Sequence, residues 1–147
     1  MLPTLLLLTA CHTKSELCQL SIQRASLGDE KEVSRELVTL YTNDKLLVST
    51  QFEAEFKGEV DLQVGFELWE GDKRVATKLY DPREMKSGSY SSSMKQGFTH
   101  LKYNVRNFSL KIPRDGDFEI RTYFLQPGNT TFSFKEINVQ VDVKRKK

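Results

Sequence analysis

From Val60 to Leu68 every second residue is apolar: Val60, Leu62, Val64, Phe66 and Leu68 alternate with Asp61, Gln63, Gly65 and Glu67. A helix, repeating about every 3.6 residues, cannot gather those apolar side chains on one side, whereas a pleated strand with a period of two does so at once. The same period runs through the rest of the chain. Leu46, Val48, Phe52, Ala54 and Phe56 share a face, with Thr50 as the polar interruption. Val75, Thr77 and Leu79 follow a Gly71-Asp72 turn, and Phe118, Ile120, Thr122 and Phe124 form a further run. Leu101, Tyr103 and Val105 alternate in one parity, then Phe108, Leu110 and Ile112 in the other, so Arg106-Asn107 should hold a bulge or a strand break. Phe132 and Phe134 switch to Ile137, Val139, Val141 and Val143 near Lys135-Glu136 in the same way. Cys18, Leu20 and Ile22 also alternate, which directs Cys18 inward as a small hydrophobe.

Between these runs stand Asn43-Asp44, Lys57-Gly58, Gly71-Asp72, Asp81-Pro82, Pro113 to Gly116 and Pro127-Gly128-Asn129, residue types that turn a chain. Strands of one-sided polarity separated by turns imply an all-β chain with antiparallel sheets, and no βαβ alternation is present. About eight strands at this spacing suit a β-sandwich better than a closed barrel. Two stretches leave the pattern. Asp29 and Glu32 resemble a helix-capping pair and Val33, Leu37 and Leu40 have helical spacing, so residues 27–36 are expected to be a loop or a short helix. Residues 84–97, rich in Ser, Gly and Lys, are expected to be a mobile loop.

Leu40 to Val48, a turn leading into a core strand, and Phe108 to Ile120, a strand, a proline-started turn and a strand after Gly116, resemble bacterial immunoglobulin-like domains of exported proteins. The resemblance implies an immunoglobulin-like antiparallel β-sandwich and speaks to fold, not function.

The opening segment, Met1 to Cys11, has a different character: a short apolar run ending in small residues, then polar from His12 to Glu16. It is too short to span a bilayer and has the form of a secretory signal. Leu8-Thr9-Ala10-Cys11 resembles the lipobox of bacterial lipoproteins, in which a large aliphatic and two small residues precede the cysteine. That likeness implies that Cys11 is acylated, that the peptide is cut before it, and that the new amino terminus is acylated as well. A second acyl chain matters, because one alone holds a protein only marginally. The implied plan is a signal peptide at 1–10, a tether at 11–17, a β-sandwich at 18–143 and a basic tail at 144–147. The protein would be exported and anchored through lipid in a bacterial membrane. His12 after the cysteine implies the outer membrane, facing the periplasm, if the host is a diderm. No Lys or Arg precedes Cys11, so an in-frame start upstream, encoding at least one, is expected.

Composition removes other classes. With 22 Lys and Arg against 20 Asp and Glu, the 147-residue chain lacks the charge excess of a dedicated nucleic-acid binder, and no nucleic-acid partner is expected. Two cysteines exclude a disulfide-dense scaffold. Of the two histidines, His12 lies in the tether and His100 between Phe98 and Lys102, and no Gly-x-Ser-x-Gly elbow accompanies them. Glu53 with Glu55, or Asp61 with Glu67, could pair as glycosidase carboxylates, but they fall opposite the apolar stripe, where a solvated sheet face accounts for them. No zinc spacing, calcium loop or phosphate-binding glycine loop occurs, so no cofactor, metal or catalytic residue is assigned. Asn107-Phe108-Ser109 and Asn129-Thr130-Thr131 match the glycosylation pattern, which a bacterial host would make coincidental.

Binding features remain. Trp69 falls out of the Val60–Leu68 parity; with Tyr80 and Tyr90 it would form an aromatic platform for sugar or peptide, or it would cap the core at the turn. Lys144 to Lys147 would bind anionic headgroups or another polyanion, or be a frayed solubilising end. The expectation is a non-enzymatic interaction or accessory module with a protein partner in the cell envelope. A carbohydrate- or envelope-polymer-binding module is the alternative if Trp69, Tyr80 and Tyr90 are exposed together. A small hydrolase would require His100 beside a nucleophile or carboxylate in a cleft.

Overall fold

The computed structural model describes residues 17–20, 33–125, 128 and 131–145. Nine strands and no helix occur among them: β1 (Leu17–Leu20), β2 (Val33–Leu40), β3 (Lys45–Lys57), β4 (Gln63–Glu70), β5 (Lys73–Tyr80), β6 (Ser87–Lys95), β7 (Phe98–Lys111), β8 (Gly116–Leu125) and β9 (Ser133–Lys144). They form two antiparallel sheets, a five-stranded sheet ordered β1-β9-β3-β7-β6 and a four-stranded sheet ordered β2-β8-β4-β5. The chain is therefore all-β and a β-sandwich, as the period of two implies.

Strand β3 is the spine of the larger sheet, and its burial alternates along its whole length. Leu46, Val48, Thr50, Phe52, Ala54 and Phe56 face inward against Phe66, Leu68, Phe118 and Ile120 of the smaller sheet. Burying each large side chain of this kind contributes about 2 kcal/mol. At the end of β3 marked by Lys57, Phe56, Phe124, Phe132 and Phe134 close the interior with ring centroids 4.5 to 6.2 Å apart.

Both parity switches are bulges. Val48 pairs with Phe108 but Ser49 with Arg106, so Asn107 is the extra residue in β7. Glu53 pairs with Glu136 but Ala54 with Phe134, so Lys135 is the extra residue in β9. The first bulge turns Asn107 inward. Its Nδ2 donates to the carbonyls of Pro82 (2.9 Å) and Glu84 (2.7 Å), and its Oδ1 accepts from Thr50 Oγ1 at 2.7 Å. Asn107 thereby ties the crossover from β5 to β6 onto β7.

Two expectations are corrected. Residues 33–36 belong to strand β2, not to a loop or helix, because the inward row of that strand is Glu36, Val38 and Leu40 while Leu37 is exposed. The Asp29–Glu32 pair lies outside the described residues. Ser87 to Lys95 is not a loop but strand β6, joined to β7 by the two-residue turn Gln96-Gly97. Both turn residues have positive φ, 54° and 82°, the form that matches the twist of a hairpin. The backbone of β1, including Cys18, pairs with β9, whereas Cys11, the signal segment and Ile22 lie outside the described residues.

Candidate functional site

Each sheet has two outer strands, and they are not finished alike. Strand β5 carries Lys73, Arg74 and Lys78, and its register slips at Val75, between the pairs Leu68–Ala76 and Trp69–Arg74. Strand β2 turns the carboxyl group of Glu36 into the interior. Charges, bulges and inward-pointing acids are how proteins keep a sheet edge from accepting another strand. Strand β6 is guarded only by Lys95, its last residue. From Ser87 to Met94 it holds no charge and no proline, its register with β7 is unbroken, and all nine of its residues are exposed.

The smaller sheet does not cover the inward row of β6: Gly88, Tyr90, Ser92 and Met94, which pair with the inward residues of β7 from Val105 to Thr99, are all exposed. Tyr90, on that row, is 57% exposed yet ordered by its neighbours. It stacks on Tyr103 at 5.0 Å, and Tyr103 stacks on buried Phe52 at 5.0 Å, so a file of three rings runs from the edge to the core. On the inward side of β7 lies a cleft of about 440 Å³, lined by Phe56, Val60, Arg83, Thr99, Leu101 and Tyr103. Arg83 is fixed there by Asp81 at 2.7 Å and by the carbonyl of Val60 at 3.2 Å. Burial raises the Tyr103 phenol above its ordinary range. The backbone of β6 itself is set by Gly88, whose φ is +122° and whose added Cβ would meet the Asn104 carbonyl oxygen at 2.4 Å.

The aromatic platform is overturned, because Trp69, Tyr80 and Tyr90 occupy three different places. Tyr80 is buried between the sheets, with its hydroxyl 3.1 Å from Thr50 Oγ1, and burial pushes its phenol well above the usual range. Trp69 neither joins Tyr90 nor caps the core. It lies on the outward face of the smaller sheet, donating from Nε1 to Glu67 at 2.8 Å, with the Arg121 guanidinium 4.2 Å from its ring centroid. Glu67 also meets Arg74 at 3.4 Å, and Arg121 pairs with Glu119. The charged side chains of this face are thus engaged with one another.

His100 sits on the outward face of the larger sheet. Its Nε2 is 2.7 Å from Glu53 and its Nδ1 is 3.7 Å from Glu55, while Lys135 approaches Glu53 at 3.7 Å. The His100 hydrogen bond, helped by Lys135, holds the Glu53 carboxyl below the usual carboxylate range. Both ring nitrogens therefore point to carboxylates, so His100 stands beside a carboxylate as the hydrolase reading asks, on an outward sheet face. Asp61 lies before β4, exposed and off the strand on which it was expected to sit with Glu67. Among the described residues no group of three or more His, Cys, Asp or Glu side chains could hold a metal ion.

The basic tail is partly built into the fold. Lys144 is the last residue of β9, and Arg145 pairs with buried Asp44 at 3.1 Å while lying over the Tyr41 ring at 4.8 Å. Lys146 and Lys147 lie outside the described residues. Sequence reasoning missed β6 as a candidate edge; the signal available to it was the charge-free run from Ser87 to Met94. No family model matches the chain, and neither a curated protein nor a solved structure matches it.

Proposed function

We propose that the protein is an exported lipoprotein, anchored through Cys11, whose β-sandwich is a non-enzymatic docking module that accepts an extended segment of a partner protein along β6. The observation that carries this reading is the open edge: a nine-residue strand, exposed throughout and paired on one side, in a molecule that protects β2 and β5. In strand addition, main-chain hydrogen bonds supply affinity and alternate side-chain sites supply specificity. The serines of β6 are short enough to let another backbone approach. Tyr90 and the cleft beside Tyr103 provide the side-chain sites on the inward face.

The immunoglobulin-like reading is supported by the pairings β3-β7-β6 and β8-β4-β5, which follow the B-E-D and F-C-C′ order of that fold. In its order the last strand lies beside the penultimate one; here β9 lies beside β3, and β2 takes the place beside β8.

A photo-crosslinking residue placed at Ser91 on β6, and separately at Thr77 on β5, tests the edge in cells. Adducts from Ser91 that vanish in a Tyr90→Lys background support the reading, and adducts from Thr77 alone contradict it. An adduct between two copies of this chain would turn the edge into a self-association site and contradict the partner. For the anchor, mass spectrometry of the mature N-terminus should find a diacylglyceryl adduct on Cys11, and an intact Met1 would refute cleavage.

A further inference from the structure

Lys144 of β9, Lys45 of β3 and Lys111 of β7 stand side by side in register on the outward face of the larger sheet, with Lys45 in the middle. All three are exposed. Neighbouring side chains in such a row start about 5 Å apart, and like charges placed directly opposite one another are destabilising. Among the described residues no acid forms an ion pair with any of the three. Two acids on adjoining segments are spent in ion pairs, Asp44 with Arg145 and Glu70 with Arg114. Asp115, Asp117 and Asp142, the last two residues from Lys144 on β9, keep their charge and accept hydrogen bonds from Thr42, Thr39 and Gln140. The row borders a cleft of about 310 Å³ completed by Asn43 and Arg145. Two more lysines, Lys146 and Lys147, follow in the sequence.

The topology places this row at one particular end. Strand β1 starts with Leu17 opposite Asp142, two residues from Lys144, and runs away from it toward Leu20 opposite Val139. The chain from Cys11 thus enters the sandwich beside the lysines. Five residues lie between Cys11 and Leu17, so the six steps from one to the other reach about 20 Å at full extension. The other end of β3, at Lys57, lies about 40 Å along the strand. Strand β6 pairs with β7 only from Arg106 to Phe98, in the half of the sheet away from the lysines.

We propose that the Lys45–Lys111–Lys144 face docks on the anionic headgroups of the membrane that holds the lipid anchor, setting the sandwich upright with β6 turned to the aqueous side. This orientation rests on the reading of Cys11 as the anchor; the affinity of the row for anionic lipid does not. Surface potential acts within about 10 Å of a membrane, and a tether this short permits that approach by the lysine end and not by the opposite one. Each basic residue near an anionic surface strengthens binding about fivefold.

The test uses the full chain carrying Cys11→Ser, so that no acyl group contributes, sedimented with vesicles of phosphatidylcholine with or without phosphatidylglycerol. The expected result is binding at least tenfold stronger to the anionic vesicles, lost on raising salt and lost in the triple variant Lys45→Gln/Lys111→Gln/Lys144→Gln. The apolar N-terminal segment is common to both proteins and cancels in the comparison. The triple variant should melt no lower than its parent, since it relieves like-charge contacts, and that check separates lost binding from lost fold. Equal partitioning between the vesicle types, or undiminished binding by a folded triple variant, would overturn the proposal. So would saturable binding of inorganic phosphate or polyphosphate in solution without anionic-vesicle binding, which would assign the row to a soluble anion. Because acylation is absent throughout, failure here leaves the anchor untouched, and an unmodified Cys11 in cells leaves the lysine row untouched.

Discussion

Strands β5 and β6 are both outer strands, yet they are built to opposite ends. β5 is cationic and bulged at Val75, and it closes the smaller sheet against further pairing. β6 is neutral from Ser87 to Met94, straight in register and exposed on every residue. A protein under selection only to stay monomeric would finish both edges the same way, since an open edge invites association. The contrast argues that β6 is kept open for use. Strand β2 sharpens the point, because its guard has a stability cost. Glu36 is buried with Oε1 unpartnered, and burial pushes its carboxyl up to about 7.

The largest effect is expected where the open edge is held in place. Asn107→Ala removes the side chain that binds the carbonyls of Pro82 and Glu84 and the hydroxyl of Thr50. Leaving such groups unpaired should cost about 3 kcal/mol in urea unfolding. A loss under about 1 kcal/mol would mean that the crossover is not what positions β6.

Next comes the guard on β2. The folded Glu36 carboxyl, at about 7, lies above the ordinary 4.5, so this group's contribution is most favourable below about pH 4.5, declines as pH rises through about 7, and is level beyond. Glu36→Gln should therefore leave stability nearly unchanged at about pH 5 and raise it by about 2 kcal/mol at about pH 8. Thermal melts at both values check this, and a gain at the lower pH alone would reverse the sign.

Gly88→Ala acts on the open edge itself. The new methyl group would sit 2.4 Å from the Asn104 carbonyl oxygen at a positive φ, which should cost about 2 kcal/mol and raise hydrogen exchange in β6 while leaving β5 unchanged. The smallest effect on stability is expected for Ser89→Lys, which gives β6 the kind of charge that β5 already has. Stability should move by less than about 0.5 kcal/mol, while crosslinking from Ser91 should disappear.

The readable part of the fold was the part with a buried face. Leu46 to Phe56 and Val60 to Leu68 announced β3 and β4 through alternation, and the two parity breaks marked the bulges at Asn107 and Lys135. β6 gave no such signal, because a strand with neither face buried has no reason to alternate. The property that makes it a candidate site is the one that hid it. Its turn was equally quiet, since Gln96 stands where Asn, Asp or Gly usually takes a positive φ. In β2, an acid at the inward position Glu36 broke the pattern and left Val33, Leu37 and Leu40 to mimic a helix. The three aromatic candidates scattered because periodicity places a residue on a face but not on a particular sheet.

The most direct test of the open edge is hydrogen exchange on the full chain, alone and bound to the partner trapped through Ser91. The account predicts that amides from Ser87 to Lys95 gain protection on binding while those from Lys73 to Tyr80 exchange as before. Protection confined to β5 or to the outward sheet faces, with β6 unchanged, would contradict it.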